Sequence, residues 1–137
     1  MNTKMLEKAN QMIRTCESAA LGVIDEKGYP SVSAVSLCNP ENISKLYFTT
    51  TLDANKAKRL QKNNKASLCC YTGMNNLTLV GEAEILTDQE TKNKCWQDWF
   101  IHIYPGGKTD PNYCAIQFTT KRVSLWIDEE GAEFAAE

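Results

Sequence analysis

The sequence predicts a mainly β domain: six or seven antiparallel strands in one sheet that closes into a small barrel, with a few peripheral helices. Three observations carry this expectation. Short runs alternate apolar and polar residues with a period of two. Glycine turns such as Glu26-Lys27-Gly28 and Gly73-Met74-Asn75 join them. The runs follow one another in hairpin order, with only short helical patterns between them.

In chain order, Met5, Leu6, Ala9, Met12, Ile13 and Cys16 recur at helical spacing, so residues 3–17 read as an amphipathic helix within an N-terminal segment 1–18. Residues 19–25 and 30–37 form a strand pair across the Gly28 turn, and residues 45–50 a third strand. A short basic helix follows over about 53–63, with Asp53 as expected N-cap. Residues 66–72 and 76–86 are the fourth and fifth strands. Thr87-Asp88-Gln89-Glu90 reads as a capping box opening a helix from about 88 to 100, with Cys95, Trp96, Trp99 and Phe100 on its apolar side. Residues 104–112 are a Pro/Gly/Asp loop. Residues 113–119 and 122–128 give two last strands, and 129–137 an acidic, loose tail.

At roughly 150 residues per domain, 137 residues make one domain, 1–137. Apolar residues are 42% and charged residues 23%, ordinary globular values. No run reaches the roughly 18 apolar residues of a spanning helix, so no membrane partner is expected. No signal peptide is visible, so a cytoplasmic location and reduced cysteines are expected. The net charge is -2 but uneven: residues 1–70 hold ten Lys/Arg against six Asp/Glu, and the rest five against eleven. The basic excess sits in residues 56–65. Without interleaved aromatics this is thin support for nucleic acid, and none is expected. Six cysteines without a Cys-x-x-Cys, and a lone histidine, His102, argue against a metal site. No Gly-x-Ser-x-Gly, Walker loop, His-Glu-x-x-His or Gly-x-Gly-x-x-Gly is present.

What remains is the stretch Thr49-Thr50-Thr51-Leu52-Asp53-Ala54-Asn55-Lys56. A strand ends in three hydroxyls and turns into a helix with lysine in its first turn. Free amides and the helix dipole favour an anion there, and the hydroxyls and ammonium add donors. A phosphomonoester needs this chemistry.

Taken in order, these segments resemble the FMN-binding split-barrel superfamily related to pyridoxamine 5'-phosphate oxidase, in its general stress protein 26-like branch. The resemblance spans residues 5–130. It rests on the Asp-x-x-Gly-x-Pro hairpin at 25–30 and the Tyr-Phe-x-Thr strand end at 47–50. It rests also on Lys56, on Leu79-Val80-Gly81-Glu82-Ala83, on Pro-Gly-Gly-x-x-Asp-Pro-Asn-Tyr at 105–113, and on Val123-Ser124-Leu125-Trp126. The resemblance implies FMN held at the interface of a homodimer. Thr50 and Lys56 would hold the phosphate, with Thr51 and Asn55 among the cofactor-binding residues. Ser33, Ala34, Val35 and Ser36 would line the ring and ribityl chain, Asn76 would meet the ring edge, and Trp126 would come from the partner subunit. The implied activity is a flavin-dependent oxidoreductase acting on a small organic acceptor, nitro-compound reduction being one version. A non-catalytic flavin stress or sensor protein, or a split barrel for haem or another ligand, are the alternatives. Ala54-Asn55-Lys56 replaces the family's Ser-Arg-Lys pattern, and Ser33 stands where an arginine is usual. The oxidase's Arg-x-His-x-Arg segment has no counterpart before Glu137, so oxidation of pyridoxamine phosphate is not expected.

Overall fold

The computed structural model describes residues 3–136. Helix α1 (Thr3–Arg14) buries its apolar stripe, Met5, Ala9, Met12 and Ile13, against the sheet. Strands β1 (Ser18–Ile24) and β2 (Pro30–Ser36) pair from Ser18↔Ser36 to Ile24↔Pro30. Their turn is fixed by Asp25, whose carboxylate accepts from the Lys27 and Tyr29 amides, and by Gly28 at φ 85°. Strand β3 (Lys45–Thr51) leads into α2 (Asn55–Lys62), followed by β4 (Lys65–Thr72) and β5 (Asn75–Leu86). Helix α3 (Gln89–Cys95) precedes β6 (Tyr113–Ile127) and β7 (Glu130–Ala135).

All pairings are antiparallel, in the order β2-β1-β4-β5-β6-β3, with β7 also on β6. Leu21, Phe48, Leu68, Leu79 and Ile116 alternate inward and meet in one core. The two end strands touch at one place, where Leu37 bridges Phe48 and the Cys38 amide donates to the Tyr47 carbonyl. Beyond that bridge the barrel is split, and the edge of β2 facing away from β1 has no ladder partner among the described residues.

Four expectations change. The two last strands are one 15-residue strand, β6. It needs no turn at residue 120, because Lys121 is accommodated as a bulge: Val80 pairs Arg122 while Gly81 pairs Thr120. The acidic end is not loose: Glu130–Ala135 pairs with β6, and Phe134 and Ala132 pack on the core. The N-cap of α2 is Ala54, not Asp53, because the Ala54 amide closes a turn onto the Thr51 carbonyl and leaves Asp53 one residue early. The helix opened at 88 stops at Cys95. Its cap is Asp88, which accepts from the Thr91 amide and hydroxyl. Trp96 is extended, and a 3-10 turn, Asp98–His102, brings Phe100 onto Tyr104 and Tyr113 in a second aromatic core. No described helix is long and apolar enough to cross a membrane.

Candidate functional site

The site is built where β3 ends. Thr50 lies on the inward face with Leu46 and Phe48 and is only 9% exposed. Its hydroxyl has no hydrogen-bond partner among the described residues, yet it is not sealed from solvent. Thr51 faces the other way, its Oγ1 3.1 Å from the Tyr104 hydroxyl. The Leu52 amide donates to the Asn112 carbonyl, so the 104–112 loop buttresses the turn into α2. Lys92 secures that loop from beneath, its buried ammonium donating to the Asp110 carbonyl.

Helix α2 then begins without a side-chain cap and without an acidic residue in its first turn. Ala54 offers no acceptor, so the first amides of α2 remain free donors at the positive end of the helix. Asn55 is exposed at this end and Lys56 is half-buried beside it. Lys56 has no carboxylate partner among the described residues, and burial lowers its pKa from the ordinary lysine value. A partly desolvated, unpaired ammonium at a helix start with free amides has the donor chemistry that an anion requires.

One turn further, Arg59 forks onto the Glu26 carboxylate at 3.0 and 3.3 Å and donates to the Ser31 hydroxyl at 3.2 Å. This clasp, invisible in the sequence apart from Arg59 lying three positions after Lys56, fastens α2 to the β1–β2 hairpin. It also commits the Arg59 charge, so Lys56 stands as the cation at the helix start. Ser33 shares the face of β2 that carries Ser31, and is exposed. Ala34 and Ser36 are exposed on the opposite face, whereas Val35 is buried in the core and offers only its backbone. The unpaired edge of β2 over 33–36 therefore presents backbone donors and acceptors beside small side chains.

Asn76 and Trp126 are directly paired across β5 and β6 on the outer sheet face. Trp126 is 43% exposed, and its indole lies over Gly131, where an added Cβ would meet it at 3.3 Å. One chain does not bring this pair to Lys56. Strands β1 and β4 stand between β2 and β5. Just after α2, the Asn64 carbonyl accepts from the Ala83 amide, which lies seven residues, about 23 Å, along β5 from Asn76. The outer face is nonetheless apolar: Val32 is 68% exposed, and with Ala20, Gly22, Ile24 and Pro30 it lines a shallow groove. Among the described residues no group of three His, Cys, Asp or Glu side chains is placed to hold a metal ion.

A family model described as pyridoxamine 5'-phosphate oxidase matches residues 5–127. No curated protein sequence matches. Among solved structures, a Clostridium acetobutylicum protein related to general stress protein 26 of B. subtilis is similar at 28% identity and a TM-score of 0.85, covering 98% of this chain and 96% of that one. General stress protein 26 of Bacillus anthracis shares the fold at 19% identity and a TM-score of 0.81, over 96% of this chain and 100% of that one. A haem-binding protein of Mycobacterium smegmatis shares it at 14% identity and a TM-score of 0.74, over 98% of this chain and 59% of the other.

Proposed function

Because the chain belongs to the pyridoxamine 5'-phosphate oxidase family, we propose that it binds FMN and works as a flavin-dependent oxidoreductase on a small organic acceptor. One observation carries the reading: the uncapped start of α2 with the half-buried, unpaired Lys56. Lys56, the free amides of α2 and the Thr50 hydroxyl would hold the phosphate, with Asn55 at the rim and Thr51 turned to Tyr104 on the other face of β3. The unpaired backbone of β2 at Ser33, Ala34, Val35 and Ser36 would hold the isoalloxazine edge. Bound flavin supplies reversible hydride and electron transfer, and the protein orients it and tunes it through hydrogen bonds. No acid or base side chain is required by this arrangement.

Asn76 and Trp126 complete the site from a second copy, since their own chain holds them far from Lys56. The exposed apolar face around Val32 is the surface the copies share. Light scattering on a sizing column is expected to give a dimer, and Val32→Lys, which buries a charge in that contact, a monomer. A wild-type monomer at micromolar concentration would remove this part of the reading.

The phosphate site is tested by comparing FMN with riboflavin, which lacks the phosphate. Two charge-assisted hydrogen bonds at roughly 1.5–3 kcal/mol each make FMN on the order of 100-fold or more tighter. Equal affinities would place the recognition elsewhere.

A further inference from the structure

All six cysteines are free thiols, but they are not equivalent. Cys38 follows β2 and Cys95 ends α3, and the fold brings these distant positions to one cavity. Cys38 Sγ donates to the carbonyl of Lys94, the residue before Cys95, at 3.8 Å. Both cysteines line an open cavity of about 620 Å³ walled by Lys45, Tyr47 and Lys94. Cys38 is half-buried, so a small solute reaches it, while Cys95 is buried behind it.

We propose that Cys38 and Cys95 are a reversible oxidation site, in which a hydroperoxide oxidises Cys38 and Cys95 captures it as an intramolecular disulfide. The Cys38 thiolate attacks one peroxide oxygen. The O–O bond breaks, Cys38 becomes a sulfenic acid, and water or an alcohol leaves. The Cys95 sulfur then attacks the Cys38 sulfur. The S–S bond forms, hydroxide departs, and the Cys95 proton converts it to water. Two thiols are oxidised and one peroxide is reduced.

The other cysteines lack this combination. Cys16 and Cys70 are both buried, and burial pushes the Cys70 thiol up. Cys114 is buried and pushed up to about 11. The cross-strand neighbours of Cys69 are Ala20 and Thr78, not thiols. The neighbouring Cys95 instead lowers the pKa of Cys38, which favours the reactive thiolate. The disulfide would fasten the exit of β2, two residues past Ser36, to the end of α3.

The test is peptide mapping of the full chain after equimolar hydrogen peroxide and alkylation. The expected result is a Cys38–Cys95 crosslinked peptide, two fewer alkylatable thiols, and full reversal by dithiothreitol. In Cys95→Ser the Cys38 sulfenic acid persists and is trapped by dimedone. A Cys16–Cys70 link, a link between chains, or six thiols still alkylatable would overturn the proposal, and the wild-type map alone decides it.

Discussion

Replacing Lys56 with alanine weakens FMN binding by on the order of 10- to 100-fold without weakening the fold. The ammonium is the cation placed at the start of α2, and a hydrogen bond to a charged group contributes roughly 1.5–3 kcal/mol. Its effect on stability runs the other way. Burial holds the folded-state pKa of Lys56 below its unfolded value, so the folded protein binds fewer protons in the window between the two. Below that window the charged Lys56 opposes folding, and stability rises as pH climbs through it. Lys56→Ala removes the opposing charge, so its thermal midpoint matches or exceeds wild type while its FMN affinity falls. FMN binding to the wild type weakens with rising pH through the depressed Lys56 pKa, as the ammonium loses its proton. Lys56→Ala loses that alkaline limb. Flavin fluorescence titrations at several pH values, with melting curves beside them, check both arms. An unchanged affinity, or a lower midpoint accompanying the loss, would assign Lys56 a structural role instead.

Gly81→Ala costs about 3 kcal/mol or more and lowers the thermal midpoint by roughly 10 °C. The cause is steric. A Cβ at Gly81 would lie 2.0 Å from the Thr119 carbonyl oxygen and 3.0 Å from its carbon, both backbone atoms. The clash falls where β5 crosses the Lys121 bulge of β6, in the middle of the sheet. Thr120, opposite Gly81, is also pinned there: its amide donates to the Ser44 carbonyl and its hydroxyl to the Ile43 carbonyl. The strand therefore has no direction in which to yield. Gly22→Ala is the control, because its Cβ would meet nothing nearer than 3.9 Å. Chemical denaturation of the two variants separates them, and a Gly81→Ala curve overlying that of Gly22→Ala would contradict the steric reading.

The strands were legible because their inward residues alternate and their turns carry glycine. The hairpin at Gly28 and the run from Lys45 to Thr51 needed nothing beyond local pattern. What failed locally was decided at a distance. Residues 130–135 are acidic, and only the position of β6 beside them makes a strand of them. The Trp96–Phe100 stretch has helical spacing, but Phe100 finds Tyr104 and Tyr113 only when Trp96 leaves the helix. At the candidate site, Asn55 and Lys56 open α2 directly after the strand end, but Thr50 and Thr51 point to opposite faces of β3. The Arg59 clasp to Glu26 and Ser31, and the Thr51 contact with Tyr104, link separate segments and left no periodic signal. Val35 shows the limit of a contiguous run: alternation buries it between two exposed neighbours.

The central claim, a flavin phosphate on the start of α2, is tested most directly by a visible spectrum. Protein purified without added cofactor is measured, then measured again after FMN addition and desalting. The account predicts a flavin spectrum that survives desalting and fades in Lys56→Ala. A sharp Soret band, or a colourless protein that retains no FMN, would contradict it.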